Sequence, residues 1–141
     1  MAALHLKIIT PQKIAIQEHV VSVTVPSSTG EITVLPRHSN LFTLLKEGIV
    51  KFRPSEKSAA EKEKYLAIGG GYLETDGEEV RILVSRVYGQ DEIDADKTEK
   101  AIEEAKKTLA QTKDVSQRKE AMSQLRRSVI NMKLIKRRKR V

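Results

Sequence analysis

Cysteine and tryptophan are missing from this sequence of 141 residues. Without cysteine, the chain cannot form disulfides, thiolate metal sites or a cysteine nucleophile. No apolar run reaches the length of about 18 residues that a membrane-spanning helix needs, so none is predicted. The amino terminus lacks a charged segment followed by a long apolar stretch, and therefore no secretory signal is predicted.

Glycine and proline are also absent from residues 91–141, which read as two helices. The charge is uneven along the chain. Residues 1–90 carry 11 basic and 10 acidic side chains, whereas residues 126–141 carry 8 basic side chains and no acidic one. We therefore expect a nearly neutral β domain, residues 1–88, followed by a helical arm with a cationic tip, residues 89–141.

Short alternating segments separated by turn residues fill the first domain. Leu4, Leu6 and Ile8 recur with the period of two that a half-buried strand shows. We expect separate strands at residues 13–17 and 21–25, with Pro26 ending the second. Because no helical pattern interleaves with the strands, an antiparallel sandwich or barrel is predicted rather than a parallel sheet.

Three consecutive glycines at residues 69–71 interrupt a predicted strand that resumes at residues 72–75. A phosphate-binding loop would need a following Lys-Ser/Thr pair and a helix, and the sequence has neither. A kink or bulge within the strand is therefore predicted.

The second domain shows apolar side chains at helical spacing. In the first helix the stripe consists of Thr98, Ala101, Ile102, Ala105 and Leu109. Asp91 or Asp94 is expected to cap this helix, and a capping box of Asp114 and Gln117 to start the next one. The second stripe is expected at Ala121 or Met122, Leu125, Val129, Met132, and Ile135 or Lys136. The short connection predicts an antiparallel hairpin with a weak seam that a partner could open.

Several motifs carry a family resemblance. The segment GEITVLPRHSNLFTLLKEG at residues 30–48 and the segment IGGGYLE at residues 68–74 resemble motifs of the ε subunit family of bacterial-type F-type ATP synthases. The resemblance implies an α+β, mainly β fold, with a ten-stranded β-sandwich followed by an antiparallel two-helix hairpin. It also implies a non-catalytic subunit of the central stalk, which couples rotation of the γ subunit to the c-ring during ion-driven ATP synthesis.

The same resemblance implies partners and contact residues. The sandwich is expected to contact γ and the c-ring through two loops at the same end of the sheet, with the residues Ser28, Gly30, Glu31, Arg37 and His38. The helices are expected to extend along γ into the α/β hexamer and inhibit ATP hydrolysis through Met122, Leu125, Arg126, Arg127, Val129, Met132 and Lys133. The complex would hold the protein at the cytoplasmic face of the bacterial plasma membrane.

Some members of this family bind ATP as a regulatory ligand at a motif that opens the first helix. Here the matching residues 93–98 keep Asp94 but place Lys97 where the motif has arginine. Lysine lacks the planar fork that arginine offers to phosphate. No other cofactor is expected. No metal is expected either, because His5, His19 and His38 are spaced unlike any ligand pattern.

A different function class stays open for the basic tail, residues 126–141. A cationic helix also suits a free module that binds nucleic acid or another anionic surface. Residues 91–141 lack the aromatic side chains on which bases stack, so an acidic protein surface is the favoured partner. Enzymatic activity is not predicted, because Glu31 and His38 belong to no recognisable nucleophile constellation.

Overall fold

The computed structural model describes residues 3–55, 63–89 and 94–138. The chain divides into two compact units, Met1–Tyr88 and Gly89–Val141. The first unit is built of strands and the second of helices. Asp91, one of the two expected helix caps, and the cationic side chains from residue 137 onward lie outside the described part of the chain.

Strands of the first unit form a β-sandwich, as predicted. The described residues contain nine strands, one fewer than the family resemblance implies. They are β1 (Leu4–Ile9), β2 (Ile14–Ser27), β3 (Gly30–Val34), β4 (Leu41–Leu45), β5 (Gly48–Pro54), β6 (Lys64–Ile68), β7 (Gly71–Thr75), β8 (Glu79–Val84) and β9 (Val87–Gly89). Hydrogen-bonded neighbours follow the order β1-β8-β7-β4-β2-β5-β6-β9, with β3 beside β2 and β1 also paired with β2.

The longest strand, β2, is shared between two groups of strands. Its first half pairs with β1, and its second half pairs with β3 and β5. The prediction of separate strands at residues 13–17 and 21–25 is therefore wrong, because the intervening residues stay extended and paired. Pro26 does not end the strand either. It is the register partner of Glu31, and its carbonyl oxygen accepts a hydrogen bond from the Lys46 N–H at 3.0 Å.

Alternating residues build the core of the sandwich. Leu4, Leu6 and Ile8 are fully buried, which confirms the period of two in β1. The other fully buried large side chains of this unit include Phe52, Leu73, Ile82, Val20, Val23, Val25, Val34, Val50 and Val80. The sandwich therefore has a hydrophobic core made by its own strands.

The glycines at residues 69–71 join two strands and do not kink a single one. β6 ends at Ile68 and pairs with β5, whereas β7 begins at Gly71 and pairs with β4 and β8. A Cβ atom on Gly71 would lie 1.9 Å from the Leu83 carbonyl oxygen. Glycine is thus required for the close approach of β7 to β8, and the predicted kink within one strand is wrong.

The second unit consists of α1 (Ala95–Gln111) and α2 (Val115–Arg138). The helices pack against each other, and their connection spans only residues 112–114, so they form the predicted antiparallel hairpin. Their buried side chains are Thr98, Ala105, Ala121, Ser128, Leu134 and Ile135. Four of these six are small, so the burial of large apolar side chains is limited along most of the hairpin.

Side-chain caps define the helix ends. Asp94 caps α1, since its carboxylate accepts the Lys97 backbone N–H at 3.1 Å. Asp114 caps α2 by accepting the Ser116 backbone N–H at 2.9 Å. The predicted capping box is incomplete, because the Gln117 side chain accepts the Thr112 hydroxyl at 2.7 Å and does not reach the Asp114 N–H.

Candidate interaction surfaces

One outer face of the sandwich, formed by β4, β7, β8, β1 and the first half of β2, carries side chains in rows. Residues at the same register of adjacent strands stand side by side on such a face. One row consists of His19, His5 and Glu79. A second row consists of Gln17, Lys7, Arg81, Glu74 and Phe42. The third row, named here the apolar row, consists of Ile14, Ile9, Leu83, Tyr72 and Leu44.

Charges of the second row are paired within the face. Arg81 bonds Glu74 at 3.0 Å and Glu79 at 3.3 Å, and Lys7 lies 3.7 Å from Glu79. The hydrogen bond from Arg81 to Glu74 raises the pKa of the guanidinium. Exposed pairs of this kind add little to stability. Their effect is to leave this part of the face nearly neutral.

The apolar row is unusually open to solvent. Leu44 is 60% exposed and Ile14 is 55% exposed, and the neighbouring Phe42 is 62% exposed and packs on Tyr72 with a centroid distance of 5.1 Å. A shallow groove of about 360 Å³ adjoins the row and is lined by Ile9, Thr10, Pro11, Gly70, Gly71, Tyr72, Leu83, Val84 and Ser85. Contiguous exposed apolar surface of this kind marks a protein contact site.

Sequence reasoning missed the apolar row, although β4 carries a signal for it. The segment LFTLL places apolar residues on both faces of the strand, whereas a strand with one solvated face alternates apolar and polar residues. Leu45 points into the core and is 6% exposed, while Leu44 points outward. Exposed apolar residues on the outward side of a surface strand make this face a candidate contact surface.

The first predicted loop is a tight turn between β2 and β3. Gly30 has a φ of 127°, which only glycine adopts without strain. The Ser27 hydroxyl stabilises the turn by accepting the Thr29 N–H at 3.3 Å. Ser28, Gly30 and the following Glu31 are exposed. The Ser28 N–H donates to the Leu44 carbonyl at 3.1 Å, so this turn adjoins the Leu44 end of the apolar row.

The second predicted loop, between β3 and β4, contains a strained residue. The His38 N–H donates to the Leu35 carbonyl at 3.2 Å across Pro36 and Arg37. Arg37 has a φ of 68°, the only positive φ of a non-glycine residue in the described part of the chain. Proline followed by a residue with positive φ defines a type II turn, which favours glycine at the second central position. Strain at an exposed arginine indicates a functional constraint at this site.

A second turn supports this loop. The Arg37 N–H donates to the Gly77 carbonyl at 2.9 Å, and a Cβ on Gly77 would lie 2.7 Å from the His38 carbonyl oxygen. Asp76 fixes the supporting turn because its carboxylate accepts the N–H groups of Glu78 and Glu79, each at 2.9 Å. These backbone hydrogen bonds, first that of Glu79, lower the pKa of Asp76.

The two loops lie at opposite ends of β3, and the prediction that they share one end of the sheet is wrong. β3 leads from the turn at Gly30 to the loop that starts after Val34. Five extended residues separate the loops by about 16 Å at about 3.3 Å per residue. Glu31 and His38 are thus held apart. The ring nitrogen Nδ1 of His38 bonds the Ser39 carbonyl oxygen at 2.8 Å instead.

In α2, the predicted arm residues fall into two groups. Leu125 and Met132 are half-buried. Met122 is 43% exposed and Val129 is 37% exposed, so the buried positions nearest to them belong to Ala121 and Ser128. Arg126, Arg127 and Lys133 are also exposed. A solvent-facing stripe at helical spacing therefore runs along α2, named here the outer stripe, and consists of Met122, Arg126, Val129 and Lys133.

The predicted nucleotide residues meet at the start of α1. Asp94 accepts the Lys97 backbone N–H, and its own carbonyl accepts the Thr98 hydroxyl at 2.7 Å. One carboxylate oxygen of Asp94 is therefore engaged in capping the helix. The Lys97 side chain is exposed. Over the described residues, neither helix combines the length and the apolar character that crossing a membrane requires.

A family model and curated relatives all identify the same family for this sequence. Residues 3–90 match the model of the family described as ATP synthase, Delta/Epsilon chain, beta-sandwich domain. The ATP synthase epsilon chain of Moorella thermoacetica is 35% identical over 133 residues, which cover 94% of this chain and 96% of the relative. The ATP synthase epsilon chain of Carboxydothermus hydrogenoformans is 34% identical over 105 residues, covering 74% and 75%.

Solved structures show the same fold. A chain of the mitochondrial ATP synthase of Euglena gracilis, in a structure of OSCP, F1 and c-ring, superposes with a TM-score of 0.69 at 23% identity, covering 96% of this chain and 79% of that one. A chain of the mitochondrial ATP synthase of Tetrahymena thermophila, in a structure of central stalk and c-ring, gives 0.64 at 16% identity, covering 94% and 96%.

Proposed function

Since the chain belongs to the ATP synthase epsilon chain family, we propose that it is a non-catalytic subunit of the central stalk of a bacterial F-type ATP synthase. In this role the β-sandwich binds the γ subunit and the c-ring and transmits rotation between them. The two helices act as a regulatory arm that restrains ATP hydrolysis. The subunit works at the cytoplasmic face of the plasma membrane, where its partners hold it.

The observation that carries this proposal is the apolar row. Leu44, Tyr72 and Leu83 stand side by side on three adjacent strands, and of these Leu44 is exposed while Tyr72 and Leu83 are half-buried. A permanent protein partner that covers this surface gains the free energy of apolar burial. We assign this partner to γ, because a rotor subunit must stay attached to the shaft through each turn.

The loops extend the contact region beyond the apolar row. Ser28, Gly30 and Glu31 adjoin Leu44, whereas Arg37 and His38 lie at the other end of β3. This separation allows the sandwich to meet two partners at the same time. A coupling subunit between γ and the c-ring needs this property.

The sandwich contact can be tested with a charge on the apolar row. Because Leu44 is 60% exposed, Leu44→Asp is expected to leave the fold intact and to weaken binding to purified γ at least tenfold, since the charge would be buried in the interface. Val115→Asp is the matched control, since Val115 is 79% exposed at the start of α2. If L44D binds γ with wild-type affinity, measured by interferometry, γ does not contact the apolar row.

The buried side chains of the arm are mostly small. Four of the six, Thr98, Ala105, Ala121 and Ser128, contribute little apolar area, and the large ones, Leu134 and Ile135, lie together near the end of α2, so most of the hairpin is held together weakly. The outer stripe combines the apolar Met122 with basic Arg126 and Lys133. Such a surface suits an acidic protein segment with apolar pockets. Part of the predicted contact surface is thus accessible before the hairpin opens.

Deletion of residues 91–141 tests the regulatory role. The truncated chain is expected to assemble with γ, because the sandwich has its own core, and to raise the ATP hydrolysis rate of the complex. Arg126→Glu combined with Lys133→Glu should raise hydrolysis as well, while Lys107→Glu, an exposed position on α1, should not. If the truncated chain and the Arg126→Glu/Lys133→Glu variant hydrolyse ATP at the wild-type rate, the inhibitory arm is excluded and only the coupling role stays.

The salt dependence of binding distinguishes a nucleic-acid-binding tail from a subunit that binds γ. Binding through phosphate contacts weakens steeply between about 50 and 200 mM salt, whereas a packed protein contact is less sensitive. Gel filtration with γ at about 0.5 M salt should therefore still show a stoichiometric complex. Retention of nucleic acid and loss of γ under these conditions would favour the alternative.

A further inference from the structure

We propose that His5 and His19 form a binding site with two protein ligands for a borderline divalent metal ion such as Zn²⁺ or Ni²⁺. The two residues are direct partners in the antiparallel pair of β1 and β2. Their rings stack with centroids 5.0 Å apart and planes inclined by 25°. Neutral imidazole nitrogen is the commonest protein ligand for ions of this class.

The geometry suits a shared ion after a small adjustment. Two nitrogens that bind one tetrahedral metal at about 2.0–2.1 Å lie about 3.4 Å from each other. Imidazoles with centroids 5.0 Å apart reach this separation when each ring turns about its χ2 bond. His19 is exposed and His5 is half-buried, so solvent leaves room for this rotation. Direct cross-strand pairing holds the Cα atoms at the required distance.

The ring nitrogens are free to bind. Within the part of the chain that the structure describes, the hydrogen bonds of His5 and His19 involve only their backbone N–H and carbonyl groups, such as His5 N–H to the Glu78 carbonyl at 2.9 Å. His38 differs, because its Nδ1 is already engaged by the Ser39 carbonyl. The pair therefore offers two uncommitted nitrogens, and the third histidine does not.

The surroundings limit the site to two protein ligands. Glu79 is the register partner of His5 on β8, but its carboxylate already lies 3.3 Å from Arg81 and 3.7 Å from Lys7. The described residues contain no group of three or more potential metal ligands. Water would complete the coordination. Two imidazoles without a carboxylate favour a borderline ion over Mg²⁺ or Ca²⁺, which prefer oxygen.

A bound ion would link the amino-terminal strand to β2. Since the ion binds the paired strands and has no preformed site in the unfolded chain, it stabilises the folded sandwich. The strand that it fixes is β1, whose partners are β2 and β8. This effect is independent of γ, the c-ring and ATP.

Calorimetric titration of the full chain with NiCl₂ and with ZnCl₂ tests the proposal. We expect one ion per chain and an affinity at least tenfold weaker in His5→Gln and in His19→Gln. His38→Gln is the matched control and should bind as the wild type does. In the wild type, Ni²⁺ should broaden the NMR ring signals of His5 and His19 and leave those of His38 sharp.

Several outcomes would overturn the proposal. These are absence of heat at millimolar Ni²⁺ and Zn²⁺, equal affinity in wild type and H5Q, or a loss in H38Q as large as in H19Q. Circular dichroism of each variant checks that the sandwich is folded. MgCl₂ serves as the ion control, since binding of Mg²⁺ with similar affinity would indicate a site of oxygen ligands elsewhere.

Discussion

The strained turn at Arg37 allows a quantitative test of the structure. Replacing Arg37 by glycine should stabilise the β-sandwich, because a left-handed backbone costs a non-glycine residue about 1–2 kcal/mol. Glycine gains entropy in the unfolded chain, which offsets about 0.4–1 kcal/mol of this gain. Arg37 is exposed, and its side chain forms no ion pair with the residues that the structure describes, so little else is lost. A net stabilisation of about 0.5–1 kcal/mol is expected.

Thermal unfolding of the full chain measures this effect. For a domain of this size about 1 kcal/mol shifts Tm by about 4–8 °C, so R37G should raise Tm by about 2–8 °C. Ser39→Gly in the same loop is the control, since Ser39 does not have a positive φ and should lose stability. A Tm of R37G at or below the wild-type value, or an equal rise in S39G, would refute the strained turn. Weaker γ or c-ring binding by a more stable R37G would show that the arginine is kept for contact.

Three further predictions concern stability. The lowered pKa of Asp76 gives stability that is present above its ordinary value of 3.8 and is lost as pH falls through the lowered value. Asp76→Ala should therefore be less stable than the wild type at neutral pH and should lose less stability on acidification, as followed by circular dichroism. Asp94→Ala removes the cap of α1 and should cost the hairpin about 1 kcal/mol, seen as faster amide exchange in its first turn. Gly71→Ala should cost about 1–3 kcal/mol in urea unfolding because its Cβ would meet a carbonyl of β8 at 1.9 Å, whereas Gly70→Ala, with 3.6 Å of space, should not.

Local patterns in the sequence predict the strands well, but not how they pair. The period of two predicted for residues 4–8 corresponds to the observed burial pattern of β1. The parallel pairing of β1 with β8 joins residues more than 70 positions apart, and no local pattern encodes it. The prediction that the two loops share one end of the sheet is wrong for a related reason. The loops are joined by β3 and therefore lie at its opposite ends, which the sequence motif alone does not show.

Long-range pairing also limits what the spacing of His5 and His19 in the sequence can predict. A spacing of 14 residues matches no helical or loop ligand pattern. In the hairpin of β1 and β2, whose connection spans residues 10–13, the same spacing gives direct cross-strand partners, because residues 5 and 19 are equidistant from the turn near residue 12. Ligand spacing in a sheet is therefore set by register, and register is set by the turn.

In α2 the sequence predicts an apolar stripe but not which of two adjacent residues, Ala121 or Met122, points into the hairpin. This rotation of the helix about its axis is called its phase here. Ala121 and Met122 fit the same stripe, and hydrophobicity favours methionine. The structure buries Ala121 and Ser128 and leaves Met122 and Val129 exposed. Small side chains let two helix backbones approach closely, so packing of the backbones decides the phase.

This choice of phase has a consequence for the arm. A hairpin that buries its small side chains gains little free energy when it closes, and it leaves larger apolar side chains, Met122 and Val129, available to a partner. A hairpin of opposite phase would bury them and would be both more stable and less able to bind. Two substitutions in α2 can therefore separate partner binding from hairpin stability. Met122→Gln should weaken a partner contact without loosening the hairpin, whereas Leu125→Ala should loosen the hairpin first.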